Sequence, residues 1–102
     1  MFLIEIFLPT YDNEGKPFAK GFFDAVRQEL ADQFGGVTAF LRAPASGLWE
    51  DETGELHRDD MAIFEVMTEE VDRGWWRSYQ QKLEKTFRQK EIVVRATACE
   101  RL

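Results

Sequence analysis

Four stretches of this chain alternate between two kinds of residue, and each alternation describes a strand with two unlike faces. Residues 2–8, 37–42, 61–68 and 92–99 place Phe2/Ile4/Ile6/Leu8, Val37/Ala39/Leu41, Ala62/Phe64/Val66 and Ile92/Val94/Ala96/Ala98 on one side. The other side carries Glu5, Arg42, Glu65 and Arg95 among Leu3, Phe7, Phe40, Met61, Ile63, Met67 and Val93. Strand side chains repeat with period two, so a one-residue slip would exchange the sets and drive four charges into the core. That pins the register. It also raises a question, because a sheet face open to water does not ordinarily carry so much apolar surface.

Between the strands the apolar period lengthens. Phe18, Phe22, Val26, Leu30 and Phe34 recur every fourth residue, with Phe23 widening the stripe, and predict a helix over 17–34. Pro17 suits its first turn, where a missing N–H costs nothing, and Gly35-Gly36 suits a left-handed end. A second stripe, Val71, Trp75, Tyr79, Leu83 and Phe87, is broadened by Trp76. Thr68 is placed to cap that helix, with Glu69, Glu70 and Asp72 against the positive end of its dipole. Aromatic stripes at this spacing are core rather than a cofactor box.

Pro9 ends the first strand and Asp12-Asn13-Glu14-Gly15 is a turn cluster. Residues 43–47 interrupt the second strand, and extended character resumes over 48–51. Thr53-Gly54 reads as a tight turn from which residues 55–68 return as one long strand. The order is β-α-β-β-α-β in a single domain, 1–102. With right-handed crossovers it gives an α+β, ferredoxin-like fold: a four-stranded antiparallel sheet, ordered 4-1-3-2, with both helices on one face.

Composition excludes several function classes. Net charge is −6 with a pI of about 4.8, which opposes binding to nucleic acid or anionic lipid through overall charge. The third strand, Met61-Ala62-Ile63-Phe64-Glu65-Val66, lacks the basic and aromatic motif of an RNA-recognition sheet. Leu8-Pro9-Thr10-Tyr11-Asp12 offers no phosphate loop. Cys99 is the lone cysteine, so no intrachain disulfide forms, and a cytoplasmic setting is expected. Residues 1–8 are too short for a signal peptide, and no segment approaches the roughly 20 apolar residues of a membrane span. No metal or cofactor is expected, because nothing around the sole histidine, His57, has ligand spacing.

The charges on the mixed face form the candidate site. In the order 4-1-3-2 they fall as Arg95, Glu5, Glu65, Arg42, which gives each acid a basic cross-strand neighbour. These are either ion pairs inside a subunit interface or, with Glu5 or Glu65 as an acid/base group, part of an active site. Across the 48–58 arm Trp49 lies opposite His57, and counting by twos from His57 reaches Glu65. His57 is the candidate general base, since an unperturbed imidazole titrates near neutrality, or else an exposed residue packed on Trp49.

With strands of this pattern, and with Phe64-Glu65-Val66-Met67-Thr68 and Trp75-Trp76-Arg77-Ser78-Tyr79, the chain resembles the dimeric α/β-barrel superfamily of ferredoxin-like proteins. It is most similar to small bacterial members whose activities are not assigned. The resemblance implies a homodimer in which two open sheet faces pack together. The superfamily also includes cofactor-independent monooxygenases, muconolactone isomerase-like enzymes and haem-degrading proteins. The second helix has no histidine to serve as a haem ligand. The alternative implied is a small enzyme acting on a largely apolar substrate beside the sheet. His57 and Glu65 would be its catalytic groups, and Trp49, Phe40, Glu5, Arg42 and Arg95 would line its pocket, with an arginine at the developing oxyanion.

Overall fold

A computed structural model of the chain describes residues 1–36, 38–42, 48–50, 56–58 and 61–102, the three middle segments through their backbone. The elements are β1 (Phe2–Pro9), α1 (Lys20–Phe34), β2 (Thr38–Arg42), β3 (Leu48–Glu50), β4 (Leu56–Arg58), β5 (Met61–Thr68), α2 (Arg73–Thr86) and β6 (Val94–Ala98). Four strands form one sheet in the order β2-β5-β1-β6, with antiparallel neighbours throughout. β3 and β4 pair separately as a two-stranded ladder. The α+β class expected from the two periods is therefore present. The expected break at 43–47, the turn at Thr53-Gly54, and Val37 lie outside the described residues.

Both helices cover the apolar strand face. Ile4, Ile6 and Leu8 of β1 and Ala62, Phe64 and Val66 of β5 are buried in one cluster with Val26, Leu30, Trp76, Tyr79, Leu83 and Phe87. Each fully buried Phe or Leu in it contributes roughly 1.5–3 kcal/mol, so this layer dominates stability. Phe87, just past the end of α2, is its aromatic hub: the rings of Phe18, Phe22 and Phe23 lie 5.0, 5.6 and 5.7 Å from it. At the other end Phe34 stacks on Trp76 at 5.2 Å and meets Trp75 edge-on at 5.1 Å.

Both helix starts differ from expectation. α1 begins at Lys20, and Pro17 pairs with Tyr11 in an isolated bridge instead of opening the helix. The cause is Asp12, whose carboxylate accepts from the Glu14 and Lys16 amides at 2.9 and 2.8 Å while its own N–H donates to the Lys16 carbonyl at 2.7 Å. Gly15, at φ 80°, turns that loop back, and the Phe18 amide then reaches the Thr10 carbonyl at 3.0 Å. Pro17 is held on the loop's return leg. α2 is capped by Asp72, which accepts from the Trp75 amide at 3.1 Å, and not by Thr68. Thr68 stays in the ladder opposite Phe2, so the helix starts at the next short acidic side chain. Its first turn consequently holds no acid. The expected stop of α1 is present: Gly35 adopts φ 80° and donates to the Ala31 carbonyl.

The last strand is shorter than residues 92–99 and its helix-facing side is only partly covered. Ile92 is buried and Val94 half-buried, whereas Ala96 and Ala98 are exposed. The helix layer stops short of the outer half of this edge strand. Among the described residues no helix is long and apolar enough to cross a membrane.

Candidate functional site

Alternation along β1 and β5 turns Leu3, Glu5 and Phe7, and Met61, Ile63, Glu65 and Met67, away from the helices. The ladder sets Glu5 directly opposite both Glu65 on β5 and Arg95 on β6. Across β2, however, Thr38 stands opposite Glu65, and Arg42 stands opposite Met61. The expected alternating row of four charges is thus corrected at one end. Arg42 lies four register positions from the place that would pair it with Glu65, about 13 Å along a strand.

Arg95 pairs with Glu5. Its Nε donates to the Glu5 carboxylate at 2.8 Å, and its guanidinium sits 5.0 Å from the centre of the Phe7 ring. The Glu5 side chain is only 14% exposed. An acid so far from water needs its cation, and the arginine gains a cation–π contact in the same pose. Glu65 has no hydrogen bond or ion pair among the described residues. It borders a cavity of about 610 Å³ whose walls include Leu3, Met67, the Gly35-Gly36 corner after α1, and Arg101.

The apolar part of this face is unevenly covered. Phe7 and Ile63 are buried although they lie outside the core cluster beneath the helices. Met67 and Val93 are half-exposed. His57 and Trp49 occupy opposed positions in the β3–β4 ladder, the register expected of them. His57 lies in β4 and Glu65 in β5, which pair in different sheets, and residues 59–60, on which the expected continuous strand over 55–68 depends, lie outside the described residues. Phe40 stands opposite Ile63 on β2, and of Phe40, Arg42, Trp49 and His57 the structure describes the backbone position. Arg101 was not anticipated. It follows the last strand and has no motif, so only the folded chain places it near Glu65.

A carboxylate with no ion pair among the described residues, beside the apolar walls of Leu3 and Met67, can accept a hydrogen bond or a proton from a small molecule held there. Among the described residues no group of three His, Cys, Asp or Glu is placed to hold a metal.

No protein-family model matches the chain, and no curated protein matches it. Its fold is similar to a solved one. A phage SAM lyase in complex with S-methyl-5'-thioadenosine superposes with a TM-score of 0.64, over 94% of this chain and 79% of that one. Sequence identity is 11%, so the likeness is one of fold.

Proposed function

We propose that the chain works as a homodimer of the dimeric α/β-barrel kind, its sheet of ferredoxin-like type, with the two open faces packed together. The observation that carries this reading is the position of Met67 and Val93. Apart from Leu102 near the chain end, they are the exposed large apolar residues among those described, and both lie on the face away from the helices. A second copy fits this face by charge as well. Glu65 lacks a cation among the described residues, and the Arg95 side chain, held by Glu5 through its Nε, remains 57% exposed, so a two-fold rotation can bring its outer N–H groups to the Glu65 of the opposite copy. The thioether of Met67 adapts readily to such a contact. A cytoplasmic setting accords with the single Cys99. Met67→Lys tests the reading: it should yield a monomer with an unchanged circular dichroism spectrum. A variant that still sediments as the wild type does would contradict it.

A second reading has an observation of its own. The cavity against Glu65 supports a small enzyme acting without metal or bound cofactor, monooxygenase- or isomerase-like, on a small, largely apolar substrate. That the phage SAM lyase is an enzyme supports the scaffold's capacity for catalysis, without choosing a substrate. Glu65 would be the proton-transfer group, with His57 contributing only if the β3–β4 ladder closes over the cavity. Titration with 1-naphthol separates the readings. Saturable NMR shifts at Leu3, Glu65 and Met67, lost in Glu65→Gln, favour the enzyme; no shift favours a face filled by the partner.

A further inference from the structure

On the helix side of the sheet, away from Glu65, a cleft of about 230 Å³ opens between α2 and the edge strand β6. Ile4, Val71, Trp76 and Val94 form its apolar wall and Arg73, Arg77, Gln80 and Arg95 its polar one, and Ile4 and Trp76 are core residues that cannot swing away. The Gln80 amide donates to the Ile92 carbonyl at 2.6 Å and ties the helix to the approach of β6, fixing the spacing of the walls. Arg73 and Arg77 border the cleft, four residues apart and therefore on one side of the helix.

Neither arginine has an ion pair or hydrogen bond among the described residues. Arg95 also borders the cleft, but its guanidinium is engaged by Glu5. Arg73 is the first residue of α2, where the aligned peptide dipoles are positive and a cation opposes the helix, and Arg77 follows one turn further on. The chain carries 19 acids against 13 bases, so acids to pair with them are plentiful in the sequence. Two cations left unpaired beside an apolar wall, the first of them at the unfavourable end of the helix, gain little stability where they stand, the pattern expected where function sets the residue.

We infer that this cleft binds a small carboxylate carried on an apolar body. The guanidiniums supply the paired donors that a carboxylate matches, and Trp76 with its apolar neighbours receives the rest. The volume is below the roughly 300–1,000 Å³ of sites for drug-sized ligands, which points to a body of about one ring or a short aliphatic chain. The cleft lies on the other side of the sheet from the proposed dimer face, so the two readings stand or fall separately.

The experiment is a titration of the full chain with phenylacetate, followed by NMR at the Trp76 indole N–H and the Val94 amide, with 2-phenylethanol as the uncharged control. Phenylacetate should give saturable shifts there and the alcohol none. Arg77→Gln should weaken binding about tenfold or more, and the Arg73→Gln/Arg77→Gln pair should abolish it. Both side chains are on exposed residues, so the variants should fold; far-UV circular dichroism checks this. Absence of saturation up to about 10 mM would overturn the inference, since even millimolar affinity would saturate there. Equal shifts from the alcohol, or shifts centred on Leu3 and Met67, would overturn it too.

Discussion

Glu5 and Glu65 stand directly opposite each other on adjacent strands, and it is Glu5 that holds a cation, Arg95, at 2.8 Å. Like charges at opposed positions repel, and the arginine relieves that repulsion from one side only. The asymmetry leaves Glu65 as the carboxylate with unspent hydrogen-bonding capacity, at the cavity it borders.

Arg95→Ala should therefore destabilise the fold by about 1 kcal/mol, the upper end for a pair with one exposed partner. Adding Glu5→Gln should recover most of the loss, because the repulsion between residues 5 and 65 disappears with it. Urea unfolding of the two variants and their combination measures the coupling. A loss that persists in the double variant would mean that Arg95 acts through its contact with Phe7.

The start of α2 gives a paired test. Asp72→Ala removes the side-chain acceptor for the Trp75 amide and should cost about 1 kcal/mol. Thr68→Val should cost little or stabilise, since the Thr68 hydroxyl is buried without a hydrogen-bond partner. Thermal melts that rank the two the other way would restore Thr68 as the cap.

Phe87 carries more of the core than its place beyond the helix suggests. It is fully buried and touches three phenylalanines of the α1 region. Phe87→Ala should cost about 3–5 kcal/mol in chemical denaturation. A cost under about 1 kcal/mol would mean that the cluster closes over the gap.

Tyr79 predicts an alkaline limit. Burial, and secondarily the charge of Glu29, push its phenol well above the ordinary value of 10.0, and its hydroxyl has no hydrogen-bond partner among the described residues. Above pH 10 the unfolded chain therefore loses this proton while the folded chain keeps it. The contribution to stability is full below that pH and falls as pH rises toward the folded value. Tyr79→Phe should flatten the alkaline decline and leave stability at pH 7 equal or higher. An unchanged alkaline slope would assign the decline to other groups.

Period was what made the fold readable. The alternation of Ile4, Ile6, Leu8 and Phe64, Val66 marked the core face, and the four-residue stripes marked both helices. What escaped reading were features set by contacts distant in sequence. Pro17 and Thr68 carry sound local signals for helix starts, but a loop closed by Asp12 claims one and the ladder opposite Phe2 claims the other. Alternation likewise puts Arg42 and Glu65 on one face without fixing the offset between their strands, and the true offset is four residues. Within the candidate site Glu5, Glu65 and Arg95 were legible for the same reason. Arg101 and the Arg73–Arg77 cleft were not, since they depend on where a tail and a helix come to rest.

We propose that a second copy covers the open face bearing Met67 and Val93. Light scattering on a size-exclusion column, across a dilution series to low micromolar concentration, tests it most directly. A mass twice the 11.9 kDa of the chain, held throughout the series, is the predicted result. A monomer at every concentration would contradict the account and leave that face to a different partner.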